Sequence, residues 1–344
     1  MTDSTTVYAA LNDRLLVVRE TTDGWTATER LAGRDFESVA ADPAVPDRAF
    51  AGTVEAGVQR TTDGGETWER VAGDGPGATV DDRVTSLATS PHDPGVVWAG
   101  TEPSAVYRSS DGGETWAALP PLTDLPSSDR WSFPPRPHTH HVRWLEPDPH
   151  DPERLYVAIE AGALVRTDDG GDTWQDHPEG GRRDNHTLAT HPDAEGRVYT
   201  AAGDGYAQSD DGGDTWAYPQ EGLAHRYVWG MAVPRSDPDT VVVSAASGPR
   251  SAHTVGTAEA YVYRTTGAGR DGGPDPEWTL AMDGLPDPEG TVRSVLAAGD
   301  GSKLFALNNR GLYRSADAGA TWELLPVAWA EAYERQTPRG LAVV

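Results

Sequence analysis

Residues 61–68 read TTDGGETW, and this stretch decides the fold because it recurs along the whole chain. Close copies stand at residues 109–116 (SSDGGETW), 167–174 (TDDGGDTW), 209–216 (SDDGGDTW) and 315–322 (SADAGATW). A shortened copy lies at 21–25 and a lengthened one, without its Asp, at 265–278. The closing tryptophans recur about every 40 to 60 residues, the spacing of a repeat architecture. The chain is therefore predicted to repeat one supersecondary unit seven times.

Each copy is preceded by the same pattern of short apolar segments. In the third repeat, residues 84–90, 96–100, 105–109 and 115–119 are rich in Val, Tyr, Trp and Thr, and Pro, Gly or Asp turns separate them. Such segments favour strands, and four strands per repeat describe one blade of a β-propeller. We predict an all-β fold, a seven-bladed β-propeller formed by residues 1–344 as a single domain.

The two ends of the chain predict how the propeller closes. Residues 6–11 (TVYAAL) match a second strand, so the first blade lacks its own first strand. Residues 339–344 (RGLAVV) match a first strand such as 83–89. Pairing of the C-terminal strand with the N-terminal blade would leave no free sheet edge there.

The repeated stretch resembles the Asp-box (BNR) repeat, S/T-x-D-x-G-x-T-W, in five of the seven copies. Asp-box propellers include sialidases, xyloglucan hydrolases, sortilin-type receptors and photosystem II assembly factors. The chain looks most like single-domain Asp-box proteins described as glycosyl hydrolases, although it lacks the Arg-Ile-Pro motif of sialidases. The resemblance implies that the boxes are structural turns on the face away from any active site. It leaves open whether the protein is an enzyme.

Composition excludes several classes of function. The 54 acidic residues outnumber the 28 basic ones, for a net charge of −26, which disfavours nucleic-acid binding. Cysteine is absent, so a disulfide scaffold or a thiolate site is excluded. No apolar run approaches the roughly 18 to 20 residues that cross a membrane, and residues 1–4 lack a secretory pattern. Lys303 is the one lysine, and this acidic, lysine-poor composition resembles proteins of extreme halophiles. We expect a cytoplasmic protein in a high-salt cytoplasm.

Two insertions, residues 120–138 and 248–258, predict the functional face. The first precedes a first strand and the second joins second and third strands, and both connections lie on one face of a propeller. Long loops on a rigid scaffold commonly carry binding sites.

Aligning the seven first strands on a shared apolar residue places polar residues beside that face. The apolar positions are Val39, Leu87, Leu145, Leu188, Met231, Val295 and Leu341. Two residues earlier stand Glu37, Thr85, Arg143, His186, Trp229, Arg293 and Arg339. Four residues earlier stand Asp35, Arg83, His141, Asp184, Tyr227, Thr291 and Thr337. Because strands alternate with period two, both sets should share one orientation.

These residues predict a pocket for a small anionic or carbohydrate ligand. The predicted ligand-binding residues are four arginines and two aromatic residues: Arg83, Arg143, Arg293, Arg339, Tyr227 and Trp229. Guanidinium groups suit carboxylates or phosphates, and aromatic rings suit the face of a sugar. A hydrolase at this site would use carboxylates and imidazoles for proton transfer, and its predicted catalytic residues are Asp184, His186, His141 and Glu37.

Other interpretations of the same residues stay open. No cofactor is required by the sequence, but His141, His186 and Asp184 also suit a divalent metal, with His138, His140 and His253 in reserve. Charged pairs that fill the propeller channel, with no ligand, would use the same positions. The loop-rich face would also serve a non-catalytic propeller that binds a protein partner. No membrane partner is expected.

Overall fold

The computed structural model describes residues 5–71, 79–268 and 277–344. Within these ranges the chain forms seven antiparallel sheets, and the fold is the seven-bladed β-propeller that the repeats predict. The residues divide into two compact units, one of Met1–Glu20, Ala27–Asn185 and Arg339–Val344, the other of Thr21–Thr26 and His186–Pro338. The single-domain assignment stays a prediction. No described helix has the length and apolar character needed to cross a membrane.

The first unit contains four of the sheets, counted over its described residues, except that residues 21–26 of the N-terminal sheet belong to the second unit. Its strands are β1 (Thr6–Ala10), β2 (Leu15–Thr21), β3 (Gly24–Arg30), β4 (Phe36–Ala41), β5 (Ala49–Thr53), β6 (Val58–Thr61), β7 (Glu69–Val71), β8 (Val84–Thr89), β9 (Val97–Thr101), β10 (Val106–Ser109), β11 (Ala117–Ala118), β12 (Val142–Pro147), β13 (Leu155–Ile159), β14 (Ala163–Thr167) and β26 (Gly340–Val343). The sheet orders are β26-β1-β2-β3, β4-β5-β6-β7, β11-β10-β9-β8 and β12-β13-β14.

The second unit contains the other three sheets and two short helices among its described residues. Its strands are β15 (Asn185–Thr190), β16 (Val198–Ala202), β17 (Gly205–Ser209), β18 (Tyr227–Ala232), β19 (Thr240–Ala246), β20 (Ala260–Thr266), β21 (Thr279–Leu280), β22 (Val295–Ala298), β23 (Leu304–Asn308), β24 (Gly311–Ser315) and β25 (Glu323–Leu324). Helices α1 and α2 are Pro249–His253 and Glu331–Glu334. The sheet orders are β15-β16-β17, β18-β19-β20-β21 and β22-β23-β24-β25.

The C-terminal strand completes the N-terminal sheet, as predicted. Strand β26 pairs antiparallel with β1, with Leu341 opposite Ala9 and Ala342 opposite Tyr8. Tyr8 and Ala9 are fully buried, so this junction belongs to the core of the first unit. A Cβ on Gly340 would lie 2.9 Å from the backbone nitrogen of Val39, which explains why glycine opens β26.

The Asp-box turns are closed by the hydroxyl and carboxylate of the repeat. In the second box, Thr61 Oγ1 accepts the Gly65 amide at 2.9 Å and donates to Asp63 at 2.8 Å. Asp63 in turn accepts the Thr67 amide at 2.9 Å. Gly65 has φ +93°, and a Cβ there would lie 2.9 Å from Val17. Equivalent bonds form at Asp111, Asp169, Asp211 and Asp317. Part of the lengthened sixth copy, residues 269–276, lies outside the described residues.

We expect these turns to give the protein a specific weakness to acid. Hydrogen bonds from the Thr173 hydroxyl and amide and from Thr167 lower the pKa of Asp169 from 3.8 to about 2. Since the pKa is lowered by folding, its contribution to stability is fully present above pH 3.8 and is lost as the pH falls through about 2. Asp169→Ala should lower the melting temperature at neutral pH by a few degrees, measured by circular dichroism.

The matched control lies three residues along in the same turn. Asp172 is exposed, so Asp172→Ala should leave the melting temperature unchanged. An equal loss in the two variants would show that charge, and not the turn bonds, explains the effect.

The first insertion, residues 120–138, is packed onto the first unit. Leu122 and Trp131 are 1% and 6% exposed and join a core cluster with Leu155 and Ile159. The Ser127 amide donates to Asp176 at 2.9 Å. This insertion is therefore held in place by core packing and hydrogen bonds, next to the start of β12. In the second unit, the second insertion, residues 248–258, contains α1, and the Ala252 carbonyl accepts the Arg293 amide at 2.9 Å.

Candidate functional site

β-Bulges at the start of four first strands lie at positions that the alignment singled out. The register shifts between Phe36 and Ser38, Val84 and Ser86, Val142 and Trp144, and Val228 and Gly230. The extra residues are therefore Glu37, Thr85, Arg143 and Trp229. A bulge re-aims its side chain and is common beside functional sites. Simple alternation along the strand, used in the sequence argument, is interrupted there.

The alignment is shifted by one residue in the last sheet. Leu296, not Val295, pairs with Ala306, and Leu296 is the buried residue of the two. The residue two positions before Leu296 is Ser294. Arg293 therefore stands one residue earlier relative to strand β22 than the alignment assumed. Sequence alone does not show this shift because Val and Leu both suit the apolar position.

Three predicted residues of the first unit meet in what we call the arginine–glutamate cluster. Its members are Glu37, Arg83, Glu102, Arg136 and Arg339. Glu37 lies 3.5 Å from Arg83 Nη1 and 3.6 Å from Arg339 Nη1. Arg83 Nε lies 3.8 Å from Glu102. Arg339 Nε also donates to Asn12 Oδ1 at 2.9 Å.

The insertion supplies the third guanidinium of this cluster. Arg136 binds both carboxylate oxygens of Glu102, with its Nε at 2.8 Å. That hydrogen bond is the main cause of the raised pKa of Arg136. Burial alone would raise the pKa of Glu102, but the hydrogen bond from Arg136 and the nearby charges of Arg136, His141 and Arg83 together outweigh it, and the pKa is lowered. The pair stays ionised.

A second group in the first unit centres on Glu160 and includes His141 and Arg143. His141 Nε2 lies 3.0 Å from Glu160 Oε2, and Arg143 Nε lies 3.7 Å from the same oxygen. All three side chains are buried. The Phe133 ring of the insertion meets the His141 ring edge to face, with centroids 4.6 Å apart.

Asp184 lies beside Glu160 in the first unit, with carboxylate oxygens of the two residues within 4.8 Å of each other. Asp184 Oδ1 accepts the Ala161 amide at 3.0 Å, where Ala161 has φ +52°. His140 Nδ1 accepts the Ser104 amide at 3.4 Å, and burial, followed by the neighbouring His141, lowers the pKa of His140. His138 is exposed.

The second unit brings its predicted residues into one group of closely packed aromatic rings. The Trp229 ring lies 4.2 Å from His186 and 4.3 Å from His253, and the Arg293 guanidinium carbon lies 4.8 Å from it. Tyr227 Oη lies 3.1 Å from His253 Nε2. His186 Nδ1 donates to the Val228 carbonyl at 2.7 Å. Trp229 is 8% exposed and Arg293 is 1% exposed, so these rings pack mainly on one another.

Sequence reasoning missed the two glutamates that organise the first unit's charges. Glu102 and Glu160 each follow the last residue of a second strand, Thr101 and Ile159. The alignment considered first strands alone, although the loop after a second strand lies on the same predicted face. Aligning these loops as well would have found both carboxylates. The roles predicted for the site residues, including the metal ligands His141, His186 and Asp184, stay predictions.

Comparison with known proteins agrees with the repeat and the fold. The BNR/Asp-box repeat model matches residues 59–70. The chain is thus a β-propeller that carries an Asp-box repeat, and we call it the Asp-box propeller. No curated protein matches the Asp-box propeller in sequence.

Solved structures that resemble the Asp-box propeller include two GH74 enzymes and a protein bound to a peptide. The GH74 enzyme of Niastella koreensis is 15% identical with a TM-score of 0.64, covering 92% of this chain and 54% of that one. The GH74 xyloglucanase from Xanthomonas campestris is 17% identical with a TM-score of 0.63 and the same coverages. YCF48 bound to D1 peptide is 18% identical with a TM-score of 0.55, covering 85% and 82%. The chain thus spans about half the length of these GH74 enzymes, and the likeness shows the fold alone.

Proposed function

We propose that the Asp-box propeller binds a small anionic, hydroxyl-rich ligand of the sugar-acid class at the arginine–glutamate cluster. The observation that carries this proposal is the sharing of Glu37 between Arg83 and Arg339 at 3.5 and 3.6 Å. A saturated charge-assisted bond between guanidinium and carboxylate is about 2.7–2.9 Å long. Both arginines therefore keep capacity for a carboxylate that approaches from outside the protein.

The charge of the cluster supports an anionic ligand. Three guanidiniums face two carboxylates, so the cluster is locally positive in a chain of net charge −26. Arg83 and Arg339 have side chains 29% and 37% exposed, which leaves them accessible to a small solute. A large polyanion would also contact the acidic rest of the surface, and the repulsion disfavours its binding.

The relatives support both a carbohydrate and a peptide as ligand classes. One solved relative is a xyloglucanase and another carries a bound peptide. We favour the sugar acid because the cluster is polar and charged, and His141 and Glu160 nearby suit hydroxyl groups. A peptide with a free carboxylate is the alternative that a binding experiment must separate.

We expect glucuronate, but not glucose, to raise the melting temperature of the protein in molar KCl. Arg83→Ala should weaken glucuronate binding about tenfold, or ~1.4 kcal/mol, in isothermal titration calorimetry. Arg30→Ala is the matched control, since Arg30 binds Glu66 and the Gly65 carbonyl at an Asp-box turn. Equal affinity in the wild type and Arg83→Ala, or binding of a carboxylate peptide but not of glucuronate, would overturn the proposal.

A further inference from the structure

His141 is buried and held from both its side chain and its backbone by Glu160. The residue is 5% exposed, and its Nε2 lies 3.0 Å from Glu160 Oε2. The Glu160 amide also donates to the His141 carbonyl at 3.3 Å. Two contacts between the same two residues fix the position of the imidazole ring.

The contact with Glu160 determines which ring nitrogen carries the proton. An ionised carboxylate only accepts hydrogen bonds, so His141 Nε2 must be the N–H donor. Arg143, 3.7 Å from the same carboxylate oxygen, places a cation beside it. In the neutral ring, Nδ1 then carries the lone pair and acts as an acceptor.

Nδ1 of His141 has no hydrogen-bond partner among the described residues and is shielded from solvent. A buried acceptor without a donor costs free energy, and proteins normally satisfy such atoms with water or a ligand. The neighbouring ring of Phe133, edge to face at 4.6 Å, offers no donor. A water or a ligand, and none of the described residues, is therefore expected to supply the donor for Nδ1.

We propose that His141 Nδ1 accepts a hydrogen bond from a hydroxyl group of the bound ligand, with Glu160 as the positioning residue. The ligand hydroxyl keeps its proton, so no bond is broken. The Glu160 carboxylate holds the proton of the neutral ring on Nε2 and leaves the lone pair of Nδ1 for this donor. This inference rests on the proposed function, because the hydroxyl belongs to the same hydroxyl-rich anion. It makes His141 a hydrogen-bond acceptor for the ligand.

Nitrogen-15 NMR of the histidine rings tests the tautomer without any ligand. At a pH where the ring is neutral, His141 should show a protonated Nε2 and an unprotonated Nδ1, with its signals assigned by their loss in His141→Gln. Glu160→Gln should replace this single tautomer by a mixture. Glu153→Gln, at an exposed position in the turn between β12 and β13, should keep it. A protonated Nδ1 in the wild type would overturn the inference.

Glucuronate supplies the second arm of the experiment. The Nδ1 signal of His141 should shift on titration and saturate with the dissociation constant found by calorimetry. If calorimetry shows binding but the Nδ1 signal does not change, the inference is overturned and the proposed function stands. This is the result expected if a permanent water molecule donates to Nδ1. Absence of calorimetric binding would overturn the proposed function and the ligand step with it, while the tautomer arm still decides the role of Glu160.

Discussion

Leu341→Asp is expected to lower the free energy of unfolding by about 3 kcal/mol or more. Leu341 is 8% exposed and stands opposite Ala9 in the pairing of β26 with β1. Removing a buried leucine side chain costs about 2–5 kcal/mol, and burying a carboxylate without a partner adds to that loss. Weakened pairing would also turn β1, with its buried Tyr8, into an exposed sheet edge. Urea denaturation followed by tryptophan fluorescence measures the effect.

Leu324→Asp is the matched control, because Leu324 is 55% exposed on the short outer strand β25. A surface substitution of this kind should change the free energy of unfolding by less than about 0.5 kcal/mol. Similar losses in both variants would mean that the C-terminal strand has no special part in closing the first sheet.

Lowering KCl from molar to about 10 mM is expected to unfold or loosen the whole protein. A net charge of −26 repels itself, and the Debye length grows from about 3 Å at 1 M to about 30 Å at 0.01 M salt. Repulsion between surface carboxylates then acts over the whole molecule instead of between neighbours. With 27 arginines and one lysine against 54 acids, about half the acidic groups lack a basic counterpart. Far-ultraviolet circular dichroism during dialysis measures the loss.

A control with sucrose, at an osmolarity equal to that of the salt, distinguishes the screening of charge by KCl from the exclusion of solute from the protein surface. Sucrose is excluded from protein surfaces but does not screen charge, so it should not restore the spectrum. Unchanged circular dichroism between molar and dilute KCl would refute the halophile interpretation and the high-salt cytoplasm predicted with it.

The blades are predictable from sequence because their defining bonds are local. Ser109, Asp111 and Thr115 lie within seven residues and bond to one another and to the turn amides. The C-terminal closure is also predictable, since residues 339–344 match a first strand that the N-terminal blade lacks. Both features depend only on the pattern of one repeat.

The site is only partly predictable because its pairings depend on loops and bulges. Arg136 reaches Glu102 from an insertion with no counterpart in the other repeats. The bulge at Arg143 breaks the alternation that a strand alignment assumes. The one-residue shift at Leu296 is also hidden from the sequence, because Val295 and Leu296 both suit the apolar position.

The sequence by itself determined the repeat, the all-β architecture, the blade number and the acidic surface of this protein. These follow from short-range turn chemistry, strand patterning and composition, which need no partner from elsewhere in the chain. Only the tertiary structure decided that Glu37 is shared by two arginines and that Glu160 holds His141. Such contacts join residues from different loops, and their distances depend on the backbone path between them, which no local pattern encodes.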